Sequence, residues 1–368
     1  MRNIVVIEAC STSFGGGLTY LDEMLKNSIN SNLNFEIICP EKIIHTLPKL
    51  ENVKYLTHFF LNNGIILRLI FQIFLIKKYI NTEADILLSL NGDYIGNFRP
   101  FVGVCQNMLL YETEKTSSMK RSERLKLKLL RFRQISSFNK SQGVIFLSQH
   151  ASKIVLPFIK TRNFEIINFG VSPRFKNNKR FNKLKPQKLL YVSSIHTYKN
   201  QIHLVKAIEL LINENINIEL TLVGPILCNQ YWKDLKKLIN KINNSKECIK
   251  HYDFIDHAQI HHIYNINDIF VFPSTCENMP NILLEAMASK IPILSSNLSP
   301  MPEFLKKNAI YFDPDNVVSI KNKILYSLKN YDLLVENSKK AFEDIKGFTW
   351  TKNFNQTKEF LNKISNDF

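Results

Sequence analysis

Short apolar runs alternate with longer segments of helical periodicity along the whole chain, a rhythm that predicts parallel sheets joined by helices. In the first half, Ile4–Ile7, Phe35–Ile38, Ile86–Leu88, Phe101–Val104 and Val144–Leu147 read as strands. In the second half, Leu189–Val192, Glu219–Val223, Ile269–Phe272 and Ile291–Leu294 repeat the rhythm. Between them lies Arg174–Lys188, rich in Lys, Arg and Asn and without periodicity, which reads as a linker. The expected boundary is near residue 180, giving domains 1–178 and 179–349, with a last helix at about 350–368 packing back on the first domain. No repeat of roughly 20–50 residues is visible, which excludes a solenoid.

Length agrees with this division. A chain of 368 residues exceeds one ordinary core and fits two domains, which implies a cleft. Hydrophobic residues at 45% and charged residues at 22% are the balance of a globular protein and exclude a disordered or fibrous one. The formal net charge of +16 points to an acidic partner, whether nucleic acid, anionic membrane or a phosphate-bearing substrate, or else to a background enrichment in Lys. No RNP-like aromatic motif, helix-turn-helix signal or zinc finger is present, so no nucleic-acid partner is expected.

The six cysteines, Cys10, Cys39, Cys105, Cys228, Cys248 and Cys276, form no Cys-x-x-Cys pair and no zinc spacing, so reduced buried thiols are expected. The apolar start Ile4–Ile7 reads as a first strand and not as a leader, and the expected compartment is cytoplasmic. The stretch Ile65–Ile80 is interrupted by Arg68, Gln72, Lys77 and Lys78 and falls short of the roughly 20 residues of a spanning helix.

In open parallel sheets, ligands bind beyond the carboxyl ends of the strands. The most informative strand-end segment is Pro273–Ala288, which turns at Pro273 and Pro280 and then becomes a helix. Its first amides and the positive end of its dipole make an anion site suited to a diphosphate. Glu277 in the loop and Glu285 in the helix have two readings. They accept hydrogen bonds from sugar or ribose hydroxyls, or they are solvated glutamates stabilised by the dipole.

The run from Asp268 through Ser274, Glu277, Glu285-Ala286-Met287-Ala288 and Pro292 resembles the Glu-x7-Glu signature of glycosyltransferase family 4. The resemblance extends over nearly the whole chain. It takes in Gly15-Gly16-Gly17, Asn168–Val171, Tyr191–Ser194 with Lys199, Leu222–Gly224 and Phe348–Trp350. It implies an α/β chain of the GT-B fold, two Rossmann-like domains with parallel sheets facing across a cleft, and a nucleotide-sugar donor. By that resemblance Glu285 would hold the donor ribose, and Glu277 would contact the transferred sugar. The backbone of Asn278, Met279, Pro280 and Asn281 would approach the sugar and diphosphate. Lys199 would pair with the diphosphate and stabilise the leaving group, with Ser194, His196 and Gly224 lining the donor site. Gly15, Gly16 and Gly17 would let the backbone approach the donor phosphate or the acceptor, or simply form a tight turn.

Departures from the family pattern are informative. Many members carry Arg where this chain has Ser194, so one cation for the diphosphate is missing; His196 either compensates or is a surface imidazole. Where the family often has His, this chain has Gln106 and Asn107, which can donate hydrogen bonds to the reacting sugar but cannot shuttle a proton near neutral pH. Lys290 replaces the glycine usual after the signature helix. No Asp-x-Asp pair stands in a convincing strand-end loop, so neither a metal nor any other cofactor is expected.

Within 115–140, Lys120, Arg121, Arg124, Lys126, Lys128, Arg131 and Arg133 interleave with Leu125, Leu127, Leu129, Leu130 and Phe132. Such a segment either docks on an anionic membrane or is a solvated face. The resemblance implies retention of anomeric configuration, and with it these readings imply a retaining, metal-independent hexosyltransferase, peripheral on the inner face of the cytoplasmic membrane. It would move a sugar to a glycan or lipid-linked acceptor in bacterial surface polysaccharide synthesis. The alternative is a GT-B nucleotide-sugar epimerase or a catalytically degenerate nucleotide-sugar binder.

Overall fold

The strands that form most regularly are those with continuous apolar runs, because a parallel strand covered by helices on both faces has no solvated side. The computed structural model describes residues 3–12, 15–117, 119–175, 187–255 and 259–368. Its first sheet contains β1 (Ile4–Glu8), β2 (Asn34–Ile38), β3 (Val53–Leu56), β4 (Ile86–Ser89), β5 (Phe101–Cys105), β6 (Gly143–Phe146) and β7 (Phe164–Ile166). Its second contains β8 (Lys188–Val192), β9 (Glu219–Val223), β10 (Ile249–Tyr252), β11 (Ile269–Phe272), β12 (Ile293–Ser296) and β13 (Ile310–Phe312).

The sheets run β3-β2-β1-β4-β5-β6-β7 and β10-β9-β8-β11-β12-β13, and the strand pairs with an assigned register are parallel. Both orders are doubly wound. In each, the chain moves outward from a central strand, returns, and builds the other half, leaving a switch point beyond β1 and β4 in one sheet and beyond β8 and β11 in the other. The chain has the GT-B fold class expected of it.

The structure adds four strands without a strong apolar run. These are β3, β7, β10 and β13, the four sheet edges. Each has exposed or half-buried positions, whereas β4, β5, β6, β11 and β12 are buried throughout. The predicted run Ile291–Leu294 is also shifted, the strand forming at Ile293–Ser296. Pro292 has no amide for the ladder, and its carbonyl instead accepts from the Phe270 amide at 2.8 Å.

The chain divides into two compact units, one of Met1–Tyr111, Lys120–Gly170 and Phe348–Phe368, the other of Glu112–Met119 and Val171–Gly347. The crossing at Gly170 precedes the expected boundary near 180, which lies outside the described residues, and 112–119 belongs to the second unit. Helix Trp350–Asn366 belongs to the first unit. Trp350 lies against Phe169 and Tyr20, at ring distances of 5.5 and 6.3 Å. A Cβ on Gly170 would fall 2.1 Å from the Trp350 nitrogen, so glycine is required for this approach. Among the described residues no helix is long and apolar enough to cross a membrane, and all six cysteines are free thiols.

Candidate active site

The switch point of the second unit gathers the carboxylate and the lysine that the sequence singles out. β8 ends at Val192 and leads through Ser193 and the short turn Thr197–Lys199 into helix Gln201–Asn213; β11 ends before the loop that contains Ser274 and Glu277. The two loops are tied together. The Tyr198 carbonyl accepts from the Thr275 amide at 2.8 Å and the Thr275 hydroxyl at 3.0 Å, and the Tyr191 hydroxyl donates to the Lys199 carbonyl at 2.8 Å.

Across this junction Lys199 Nζ meets Glu277 Oε1 at 2.5 Å, each side chain 11% exposed. The Ser274 hydroxyl donates to the same oxygen, also at 2.5 Å. Burial pulls the Lys199 ammonium toward a lower pKa, but the Glu277 charge and hydrogen bond outweigh it and hold the pKa above the usual lysine value. A charged ammonium is thus kept out of bulk water by one carboxylate.

Helix Asn281–Ala288 starts just beyond, with Pro280 as its cap residue and the Pro280 carbonyl accepting from the Leu283 amide at 2.9 Å. Asn278, Met279 and Pro280 are buried and Asn281 is half-buried. The Asn281 Oδ1 atom is buried and has no hydrogen-bond partner among the described residues. Glu285, one turn inside the helix, accepts from the Tyr264 hydroxyl at 3.2 Å. Burial pushes its carboxyl from the usual 4.5 up to about 7, against the opposing pull of Tyr264 and Arg174.

Gly224, at the end of β9, has φ of 141°, and a Cβ there would fall 2.3 Å from the Ser193 carbonyl oxygen. It lets the β8 and β9 ends approach. The Ser194 carbonyl accepts from Gln201 Nε2 at 2.9 Å, and the His196 ring lies tilted against Tyr198, centroids 4.6 Å apart. Lys290, where the family has glycine, is held at φ of 56°, and its ammonium lies 4.2 Å from the Phe342 ring centre. The left-handed geometry that normally selects glycine is kept, with a cation–π contact in compensation.

In the first unit Gly15 has φ of 74° and precedes helix Gly16–Lys26, so the glycine loop opens a helix. Ser13 and Phe14, just before it, lie outside the described residues. A Cβ on Gly17 would sit 3.3 Å from Gln106 Oε1. Gln106 Nε2 donates to the Leu90 carbonyl at 2.7 Å, and Asn107 Oδ1 accepts from the Leu109 amide at 3.1 Å. One polar atom of each amide is thus committed locally.

Sequence reasoning missed a second ionic cluster, at the switch point of the first unit. Glu8, at the end of β1, is fully buried and accepts from the Ser89 hydroxyl at 2.7 Å, Gln72 Nε2 at 3.0 Å and the Cys10 amide at 3.1 Å. Arg133 bridges onward, to the Gln72 side-chain oxygen, to the Asp93 carbonyl at 2.9 Å and to the Asp93 carboxylate at 3.1 Å. Burial, with Glu8 adding to it, pushes Asp93 up to about 6 despite Arg133. A carboxylate at the end of a buried strand, and Asn91-Gly92-Asp93 directly after another, were the available signals. Tyr264, in helix Ile260–Ile266 just before the run that starts at Asp268, is part of no motif and left none.

Residues 173–344 match the family model for glycosyl transferases group 1. The chain is 26% identical over 172 residues to an O-antigen chain mannosyltransferase B of Escherichia coli, covering 46% of this chain and 44% of that protein. It is 33% identical over 134 residues to the capsular polysaccharide biosynthesis glycosyltransferase CapH of Staphylococcus aureus, covering 33% of each. The matches span under half the length of these relatives. Over all of both chains the structure superposes on sucrose-phosphate synthase from Thermosynechococcus elongatus with TM-score 0.79 at 14% identity. Over 98% of this chain and all of the other it superposes on Anabaena HepE, solved with UDP and glucose, with TM-score 0.74 at 16% identity. The match to the glycosyl transferases group 1 model thus covers just under half of a chain that has the GT-B fold.

Proposed function

We propose that the chain is a retaining, metal-independent glycosyltransferase. It takes a nucleoside diphosphate sugar in its second unit and passes a hexose-type sugar to a glycan or lipid-linked acceptor held by the first. The carrying observation is the Lys199–Glu277 pair at the switch point, beside the start of helix Asn281–Ala288. A diphosphate at that helix start draws the ammonium from Glu277, and Lys199 then neutralises the charge that builds on the phosphate as the anomeric bond breaks. Glu277, released, accepts from a hydroxyl of the transferred sugar, while Glu285 as carboxylate accepts from the ribose. The O-antigen and capsule names of the relatives support surface polysaccharide as the setting, and HepE solved with UDP and glucose supports the donor class.

The first unit also supports docking on an anionic membrane. On helix Arg121–Lys140, Leu125, Leu129 and Phe132 are 59%, 65% and 76% exposed, among the exposed cations Arg121, Arg124 and Lys128. Basic residues near such a surface contribute about 1 kcal/mol each, enough together for reversible attachment.

The test is calorimetric titration with UDP, GDP, ADP and CMP, first without metal and then with it. One nucleoside diphosphate should bind without metal, and Glu285→Ala should abolish its binding. Absence of binding by all of them overturns the donor reading, and a donor-only assay that yields an epimerised sugar overturns transfer.

A further inference from the structure

Glu285 sits in a frame built from two other parts of the second unit. Tyr264, in helix Ile260–Ile266, is fully buried, and its hydroxyl lies 3.2 Å from both the Glu285 Oε2 atom and the Ile282 carbonyl oxygen. Its ring is fixed from two further sides, tilted against Phe270 at 5.6 Å and at right angles to Phe175 at 5.7 Å. Phe175, 1% exposed, closes the turn Pro173–Phe175. Beside it in that turn is Arg174, exposed, with its Nε donating to the Ser172 hydroxyl at 3.0 Å.

The frame acts on a carboxyl that its surroundings disfavour as an anion. Glu285 is half-buried, so a ligand can reach it, yet desolvation carries its carboxyl up to about 7. Among the described residues two side chains oppose that, the Tyr264 hydroxyl by its hydrogen bond and the Arg174 guanidinium by its charge. Burial, with the Glu285 charge beside it, pushes the Tyr264 phenol well above its usual 10, so it stays a donor. Its one proton has two acceptors. Once Glu285 is ionised it is the stronger of them, because a hydrogen bond to a charged oxygen is about twice as strong as one between neutral groups. Tyr264 therefore favours the carboxylate over the acid and fixes where Oε2 stands.

We propose that Tyr264 and Arg174 are positioning residues for donor capture, holding the Glu285 carboxylate in place as the acceptor that the donor's ribose hydroxyls meet. The assignment rests on the reading of Glu285 as the ribose contact. A protonated Glu285 would present an O–H to hydroxyls that need an acceptor, and a freely rotating carboxylate would have to be ordered by the ligand, at a cost in affinity. Neither Tyr264 nor Arg174 needs to touch the ligand to have this effect.

The experiment is a pH titration of the full chain, of Tyr264→Phe and of Arg174→Gln, with two readouts. The first is carbon NMR of ligand-free protein labelled in its glutamate carboxyls, the Glu285 signal being assigned by its absence in Glu285→Gln. It should titrate about one pH unit higher in Tyr264→Phe, as expected of a lost charge-assisted hydrogen bond, and by less in Arg174→Gln, whose exposed charge is screened. The second is calorimetric titration with UDP, GDP and ADP. The nucleotide that binds should do so about fivefold more weakly in Tyr264→Phe than in wild type at pH 7, and equally at pH 9. High salt should erase the shift in Arg174→Gln and leave that in Tyr264→Phe. A carboxyl midpoint unmoved in Tyr264→Phe, or an affinity loss of equal size at both pH values, overturns the proposal, the second being what lost packing alone produces. An equal loss at both pH values in Arg174→Gln makes Arg174 a ligand contact and overturns its part in the frame. If the midpoint moves and no nucleotide affinity follows it, the failure lies in the reading of Glu285 as the ribose contact and not in the frame.

Discussion

The two switch points hold similar ion pairs built from different cations. In the second unit one lysine faces one carboxylate, Lys199 on Glu277, with the Ser274 hydroxyl on the same oxygen. In the first, the Arg133 fork reaches the Asp93 carboxylate, its carbonyl and Gln72, and through Gln72 the buried Glu8 that braces β1 to β4. An ammonium on a flexible stem is a point charge that an arriving anion can draw away, whereas a guanidinium bonded in several directions is a fixture. The second pair is therefore suited to changing partners during a reaction, and the first to holding a surface still.

The largest effect should come from removing the movable charge. Lys199→Ala should lower kcat for transfer by about 10²–10³, the usual loss for one preorganised electrostatic donor, with a smaller change in donor KM. Steady-state kinetics with the donor identified by titration would show it, and a loss confined to KM would make Lys199 a binding residue only.

Next in size is the fixture. Arg133→Leu leaves Asp93 and Glu8 buried together without their cation and should cost about 3 kcal/mol or more, a fall in Tm of roughly 10 °C. If thermal unfolding moves less than Lys199→Ala does, the contrast between the two pairs is wrong.

Glu285 sharpens the picture through pH. Its carboxyl is protonated in both folded and unfolded chains below about 4.5, whereas between 4.5 and about 7 only the unfolded chain gives up the proton. Stability therefore falls as pH rises through that window, by at most about 3 kcal/mol, and is restored above it in Glu285→Gln. Denaturant melts at pH 4.5 and 8 should show the variant equal to wild type at the first and more stable at the second. Donor affinity of the wild type should rise through pH 7, since the carboxylate accepts two hydroxyls and the acid donates.

The smallest effect is expected at Lys290→Gly. Relief of the left-handed backbone, about 1 kcal/mol, nearly cancels the lost Phe342 contact, about 0.5–1 kcal/mol. A net change within about 0.5 kcal/mol in chemical denaturation is expected, and a much larger loss would show that the cation–π contact dominates.

The interior strands were legible because burial on both faces demands unbroken apolar runs, as in Ile269–Phe272. Edge strands such as β7, Phe164–Ile166, were not, because an edge buries little and needs no such run. The loop and helix carrying Glu277 and Glu285 could be read locally, since strand, proline turn and helix follow one another along the chain. The partners of those residues could not. Lys199 reaches Glu277 from 78 residues away, Gln72 reaches Glu8 from 64, and Tyr264 meets Glu285 from another helix. Sequence by itself determined the alternation of strands and helices, and with it the doubly wound sheets and the strand ends where chemistry collects. Only the tertiary structure decided which charges those ends bring face to face and which are left unpaired, because burial and ion pairing depend on groups that the fold, and not the order of the chain, makes neighbours.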